Sequence, residues 1–200
     1  MIEKPAKTSV AIHDLLARRW SPRAIDPDRA VEREHLIALL EAARWAPSCL
    51  GDEPWRYIAW DRNDDAASFD KAFECLAEPN QAWVKHAPVL LLALADSEFT
   101  KNGKPNRWGQ YDTGAASENL CLQATALELV AHQMGGFDKK KVAEAFDIPE
   151  RFTPMAMIAI GHPGDPDDLP EGKKETELAE RKRTPLEERF FLHGWEKPIR

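Results

Sequence analysis

The chain has 200 residues, of which 43% are apolar and 30% are charged, and this length fits one domain with a core of its own. Its formal net charge of −7 excludes a protein that coats nucleic acid electrostatically. The longest apolar run, residues 87–95, is too short to cross a bilayer. The three cysteines show neither a disulfide framework nor a metal-binding spacing, and no apolar leader is visible. We therefore expect a cytoplasmic protein without nucleic-acid or membrane partners.

Hydrophobic periodicity predicts a succession of helices and strands. Helices are predicted over residues 9–19 (with Ser9 as the cap), 32–45, 65–76 and 139–146. Short apolar runs predict strands over residues 56–60, 88–95 and 154–161. The Ala- and Leu-rich segment 108–134 predicts one long buried helix that ends at Gly135-Gly136.

The last 38 residues, 163–200, differ in composition from the rest of the chain. Eighteen of them are charged and five are proline, so this segment cannot build a core of its own. It nevertheless carries a late apolar group, Phe190, Phe191, Leu192 and Trp195. We expect residues 1–200 to form a single domain whose arm, residues 163–200, docks on a partner subunit. A frayed tail is the alternative.

The sequence lacks the local motifs of hydrolases, metalloenzymes and nucleotide-binding folds, such as GxSxG, HExxH, the Walker loop and GxGxxG. A different segment, R-R-W-S-P-R at residues 18–23, offers guanidinium groups and a hydroxyl to an anion. A solvated helix end, whose cations complement the helix dipole, is the alternative. A second basic segment, R-K-R at residues 181–183, is also suited to bind an anion. A charge-balanced, solvated arm is the alternative.

Two further segments allow a ligand to approach the backbone. In W-A-P-S-C-L-G-D-E-P-W, residues 45–55, two prolines stiffen the loop, Gly51 permits a tight turn and Ser48 offers a hydroxyl. In M-G-G-F-D, residues 134–138, the paired glycines permit close approach of a ligand. Such segments suit the edge of a flat, polar ring.

In their joint order and spacing, these segments make the chain resemble the FMN-dependent nitroreductase family. The resemblance extends from about residue 12 to residue 195 and is also carried by A-P-V-L-L-L-A-L-A, D-T-G-A-A-S-E-N-L-C-L-Q-A and A-M-I-A-I-G-H-P. It implies an α+β fold of three layers, with a mixed central sheet flanked by helices. It also implies an intertwined homodimer that exchanges its C-terminal arms and holds two FMN molecules in its interface.

The resemblance assigns cofactor-binding roles to individual residues. It implies that Arg19, Trp20 and Ser21 form the first flavin motif, with Arg19 and Ser21 on the phosphate. Arg181 and Arg183 complete the phosphate site, and Arg23 lies near the pyrimidine end of the ring. The loop that the partner subunit places along the flavin corresponds to Pro47, Ser48, Cys49 and Gly51. The resemblance implies that Asn80 lies near the ring and that the backbone N–H groups of the segment at Gly135 and Gly136 face flavin N5.

The loop departs from the family pattern at two positions, where Gly51 and Glu53 replace Asn and Gln. Gly51 removes a side-chain hydrogen bond, so the loop is expected to hold the flavin through its backbone. Glu53 adds a carboxylate that lowers the flavin potential unless Arg23 or Arg56 pairs with it.

The activity implied by the resemblance is that of an NAD(P)H-dependent FMN oxidoreductase. NAD(P)H reduces the flavin at N5 and leaves, and a nitroaromatic, quinone or similar flat small-molecule electron acceptor takes its place in a ping-pong cycle. The flavin carries the chemistry, so no catalytic side chain and no metal is required. Phe99 and Trp108 are expected to line the acceptor slot, with core packing as the alternative. The other functions considered are a flavin-binding sensor or carrier, and a relative that uses reduced flavin with oxygen for dehalogenation or ring cleavage.

Overall fold

A four-stranded sheet forms the centre of the structure, a computed structural model that describes residues 2–199. Its strands are β1 (Trp55–Asp61), β2 (Val89–Asp96), β3 (Val130–Met134) and β4 (Phe152–Gly161), in the spatial order β1-β2-β4-β3. The predicted α+β class is confirmed. The sheet is not mixed within the described residues of one chain, because each of the three pairs of neighbouring strands is antiparallel.

Helices cover both faces of the sheet. Within residues 2–199 they are α1 (Asp14–Arg18), α2 (Arg33–Arg44), α3 (Ala66–Phe73), α4 (Glu78–Val84), α5 (Gly109–Ala126), α6 (Lys139–Ala145) and α7 (Glu171–Leu178). None of these helices has the length and apolar character needed to cross a membrane. In the same range, no group of three His, Cys, Asp or Glu side chains is placed to hold a metal ion.

Two hydrophobic clusters, one on each face of the sheet, produce three layers. Leu90 and Leu92 of β2 belong to the cluster that includes side chains of α3, α4 and α6. Leu91 belongs to the opposite cluster, with side chains of α2 and α5. Because alternate side chains of a strand point to opposite faces, a strand covered on both sides is apolar at every position. The strand predicted over residues 88–95 is thus confirmed at β2, which is buried along its whole length.

The region from residue 108 to residue 134 is not the single helix that we expected. α5 ends at Ala126, and the chain reverses through Glu128, whose φ is 58°, before β3 begins. Gly135 and Gly136 therefore follow a strand and do not cap a helix. β3 has only five residues and its burial does not alternate strictly, so the period-2 pattern that marks a strand is absent and periodicity does not separate β3 from the preceding helix. The reversal also uses a glutamate where glycine is typical.

The remaining predicted elements agree with the structure in type and differ mainly in their ends. α1 begins at Asp14 and is capped by His13, whose Nδ1 accepts the Leu15 N–H at 3.2 Å, so Ser9 is not its cap. The sequence pattern predicts neither α4 nor α7. α4 carries a proline in its first turn, and α7 is almost entirely polar or charged, which weakens the apolar stripe that marks a helix.

The C-terminal segment begins folded and ends exposed. Glu177 of α7 is buried, whereas the large apolar side chains beyond it are exposed: Leu186, Phe190, Leu192 and Trp195. Several exposed apolar side chains in one segment are typical of an interaction surface.

Candidate functional site

Arg19 lies close to two arginines of the C-terminal segment, Arg181 and Arg183. Arg19 directly follows α1, and its Nε lies 3.1 Å from Glu118 Oε1 on α5. Arg181 follows α7, and its NH1 donates to the carbonyls of Ala17 at 3.0 Å and Lys4 at 2.5 Å. Burial lowers the pKa of Arg181, and the positive charges of Arg19 and Arg183 lower it further. The predicted phosphate-side cations are therefore brought together, and their mutual repulsion favours an anion between them.

A buried carboxylate holds the segment that contains Arg23. Glu177 is only 1% exposed, and its Oε1 accepts the backbone N–H of Arg23 at 2.8 Å and of Ala24 at 3.1 Å. Its Oε2 lies 3.8 Å from NH1 of the Arg23 side chain. Arg23 thus faces Glu177, not Glu53. The sequence reasoning missed Glu177 because nothing in a charged tail distinguishes one buried glutamate.

His132 of β3 supports the same segment from the core. Its Nδ1 lies 2.9 Å from the carbonyl oxygen of Pro22, and its ring packs on Trp83 with centroids 4.6 Å apart. Burial lowers the pKa of His132 to about 4. The imidazole is therefore neutral near pH 7, and Nδ1 donates its hydrogen to Pro22. This bond fixes the backbone next to Ser21.

The loop at residues 47–54 has an unusual backbone. It contains a 3₁₀ turn, Cys49–Gly51, and left-handed φ values at Leu50 (58°), Gly51 (67°) and Glu53 (50°). The expected tight turn at Gly51 is confirmed. The Ser48 hydroxyl oxygen accepts the Glu53 N–H at 3.1 Å, which leaves its own O–H free to donate.

Neither of the two arginines considered as partners of Glu53 pairs with its carboxylate. Arg56 donates from NH1 to the backbone carbonyls of Glu53 at 3.0 Å and Trp55 at 2.7 Å. Among residues 2–199, no ion pair joins the Glu53 carboxylate to Arg56 or to Arg23. The carboxylate instead raises the pKa of Arg44 slightly, after the larger contribution of Glu41.

Asn80 and the paired glycines form a second group. Asn80, on α4, donates from Nδ2 to the Gly136 carbonyl at 3.0 Å, and the Ala77 N–H donates to the same oxygen at 3.0 Å. A Cβ on Gly136 would lie 2.7 Å from Asn80 Nδ2, whereas a Cβ on Gly135 would meet nothing within 4 Å. Asn80 therefore fixes the backbone just after β3, and the backbone of Gly135 remains open to a ligand.

The two predicted slot residues differ in setting. Phe99 is half-buried in a turn closed by bonds with Gly103 and Lys104. Trp108 is 40% exposed at the start of α5, and its ring lies edge to face with Tyr111, centroids 6.3 Å apart. Core packing is therefore excluded for Trp108. Tyr111 is 74% exposed and was missed, although the i, i+3 spacing of the two rings on a helix is readable in the sequence.

α5 joins these groups. Its Glu118 contacts Arg19, while its Asp112 accepts the Cys49 N–H at 2.9 Å. Six residues separate the two carboxylates, about 9 Å along a helix axis. The arginine group and the loop at residues 47–54 are thus anchored to one rigid element.

A cavity of about 860 Å³ lies outside these groups. Its lining includes Lys4, Arg18, Trp20, Glu32 and His162. Trp20 is the one predicted site residue among its lining, and Lys4 Nζ lies 4.5 Å from the centroid of the Trp20 ring. Trp20 therefore packs beside the arginine group and faces a different space.

Comparison with known proteins identifies the family. The model of the nitroreductase family matches residues 16–162. The chain belongs to the nitroreductase family. The matched region includes Arg19, Ser48 and Gly135 but ends before Arg181 and Arg183.

Individual relatives of this nitroreductase agree with that assignment. It is similar to a solved oxidoreductase containing FMN, with 35% identity, a TM-score of 0.88 and coverage of 94% of this chain and 95% of that one. A nitroreductase family protein from Clostridium difficile shares 25% identity, with a TM-score of 0.68 and coverage of 90% and 96%. The major NAD(P)H-flavin oxidoreductase of Aliivibrio fischeri is 24% identical over an alignment 212 positions long, which covers 85% of this chain and 97% of that protein.

Proposed function

We propose that this nitroreductase binds FMN and transfers electrons from NAD(P)H to a flat small-molecule acceptor, such as a nitroaromatic or a quinone. The observation that carries the proposal is the convergence of Arg19, Arg181 and Arg183 from opposite ends of the chain. The similarity to an oxidoreductase containing FMN and to an NAD(P)H-flavin oxidoreductase supports it.

The arginine group fits a phosphate dianion. Guanidinium groups form charge-assisted, bidentate hydrogen bonds with phosphate oxygens. Glu118 occupies Nε of Arg19, and the backbone carbonyls of Lys4 and Ala17 occupy NH1 of Arg181. These contacts orient both side chains and leave further N–H donors for the phosphate. The hydroxyl of Ser21, two residues after Arg19, adds a neutral donor.

Arg23 suits the opposite, ring end of the cofactor. Bound FMN supplies the hydride chemistry, and negative charge accumulates at its N1/O2 edge when it is reduced. A guanidinium near that edge stabilises the reduced form and raises its potential. Glu177 and His132 hold the backbone on both sides of Arg23, so the position from which the Arg23 side chain extends is fixed.

The glycine group suits the N5 edge of the ring. Asn80 fixes Gly136, while the backbone of Gly135 is free of neighbours that would block a flat ligand. Close approach to a backbone requires the absence of a side chain, which glycine provides.

The proposed site is completed by a second subunit. We propose a homodimer in which the arms are exchanged and the loop at residues 47–54 lies along the flavin of the partner. The exposure of Leu50 on this loop and of Trp45 just before it, and of Phe190 and Trp195 on the arm, supports an interface at both places.

Steady-state kinetics test the proposed reaction. Initial rates at several NADH or NADPH concentrations, with a quinone or nitroaromatic as the second substrate, are expected to give parallel double-reciprocal lines, because the donor leaves before the acceptor binds. Intersecting lines would contradict a shared slot. Bound FMN that NAD(P)H does not reduce would indicate a sensor or carrier, and reduced flavin that reacts productively only with oxygen would indicate the oxygen-dependent relative.

A further inference from the structure

Asp112 is a buried carboxylate that contacts a distant loop. It lies in the first turn of α5, is 5% exposed, and its Oδ2 accepts the backbone N–H of Cys49 at 2.9 Å. The two residues are 63 positions apart in the sequence. A buried carboxylate is costly unless it is hydrogen-bonded, so this residue is expected to serve a specific purpose.

The loop that Asp112 contacts has a backbone conformation that its apolar side chains do not fix. Leu50 and Glu53 adopt left-handed φ values that residues with a Cβ disfavour, and the Leu50 side chain is 90% exposed. A backbone in a sparsely populated conformation persists only when its surroundings determine it. Polar anchors must therefore fix this loop.

Three polar side chains provide those anchors. The Ser48 hydroxyl bonds the Glu53 N–H within the loop. Asp52 accepts from the Thr100 N–H at 2.9 Å and from Asn106 Nδ2 at 3.3 Å, so it joins one loop to another. Asp112 is the anchor that joins the loop to a helix, and that helix also carries Glu118, the partner of Arg19.

We propose that Asp112 is the positioning residue of the flavin-facing loop. By holding the Cys49 N–H, it sets where Ser48 and Cys49 meet the flavin and the acceptor. The same helical turn carries Trp108 and Tyr111, so Asp112 also fixes the loop relative to these exposed rings. The inference rests on the proposed function, because it assigns the loop to a flavin site.

Paired substitutions test the role of Asp112 in the full-length holoenzyme. In Asp112→Asn the amide oxygen still accepts the Cys49 N–H, whereas Asp112→Ala removes the acceptor. Asp65→Ala is the matched control, because it also deletes a carboxylate that accepts a backbone N–H, from Ser68, at the start of α3. We expect Asp112→Ala to raise the FMN dissociation rate and the KM for the quinone by about tenfold, the change that loss of one hydrogen bond to a charged group gives. Asp112→Asn and the control are expected to stay within about threefold of the wild type.

The readouts separate positioning from stability. If Asp112→Ala lowers the unfolding midpoint but leaves the FMN dissociation rate and the quinone KM at the control values, the proposal is overturned. Hydrogen exchange of the peptide at residues 45–55 in the wild type provides a measurement that needs no variant. The Cys49 amide is expected to be protected, and exchange at the rate of a free amide would also overturn the proposal. A wild type that binds no FMN contradicts the proposed function instead, and this is seen before any variant is compared.

Discussion

Arg19 and Arg183 provide the residue-scale test of the phosphate assignment. Each contributes charge-assisted hydrogen bonds, so Arg19→Ala and Arg183→Ala are each expected to weaken FMN binding by about 1.5–3 kcal/mol. Fluorescence titration of the apo-protein with FMN measures this. Arg33→Ala, which removes an exposed arginine at the start of α2, is the control. If both site variants bind FMN as tightly as the control, the phosphate site lies elsewhere.

At this scale the family motifs name candidate site residues but do not predict what those residues contact. Arg19, Arg181 and Arg183 were predicted together, and the structure brings them together. Glu177 and Asp112 were missed, because their contacts lie 154 and 63 residues away. A carboxylate that accepts a distant backbone N–H has no local signature. Trp20 shares the motif, but it faces another cavity, since adjacent residues of an extended segment point in opposite directions.

At the scale of elements, β3 links the core to the R-R-W-S-P-R segment through His132. The neutral imidazole donates to Pro22 in the folded state, where its pKa is about 4, against an ordinary value of 6.5. As the pH falls below 6.5, the unfolded chain takes up a proton that the folded chain excludes, so the free energy of unfolding decreases. This contribution is complete above pH 6.5 and is lost between about pH 6.5 and 4, for a total of ~3 kcal/mol.

Urea unfolding of the wild type and of His132→Asn at several pH values tests this link. The Asn side chain can donate to Pro22 but does not titrate, so the stability advantage of the wild type is expected to shrink as the pH falls from 7 to 4.5. The titration of other groups cancels in the difference. A difference that does not change with pH would contradict the neutral, donating imidazole.

The elements also show where sequence patterns fail. β2 was predicted because an apolar run of its length, with proline before it, fits a strand covered on both faces. The sequence pattern merges β3 with the helix α5, because the five residues of β3 show no strict period-2 alternation and a glutamate, not a glycine, makes the reversal between them. Because the strand was not predicted, the contact between His132 and the R-R-W-S-P-R segment was not predicted either.

At the scale of the whole molecule, the arm is expected to make the dimer and thereby the complete site. Deleting residues 184–200 preserves α7, Glu177, Arg181 and Arg183 but removes the exposed apolar side chains of the arm. The truncated chain is expected to be monomeric and to retain little FMN, because the loop of a second subunit is missing. Size-exclusion chromatography with light scattering and flavin absorbance measures both properties. A truncated chain that remains dimeric and yellow would contradict arm exchange.

The fold class and the family could be predicted from the whole chain, because several weak segments occur in a joint order. The antiparallel pairing of the sheet could not, since strand direction depends on how the connections pack. The formal charge of −7 also conceals the site, where cations from both ends of the chain meet in an otherwise acidic molecule. The net charge is an average over the whole chain, and the local group of arginines becomes visible only when the chain is folded.

Loading the purified full-length chain with FMN, followed by anaerobic reduction, tests the central claim most directly. After gel filtration the protein is expected to carry one FMN per subunit and to show the yellow absorption of oxidised flavin. Addition of NADH or NADPH without oxygen is expected to bleach this band, and a quinone or nitroaromatic is expected to restore it. A correctly folded protein that stays colourless after loading would contradict the account.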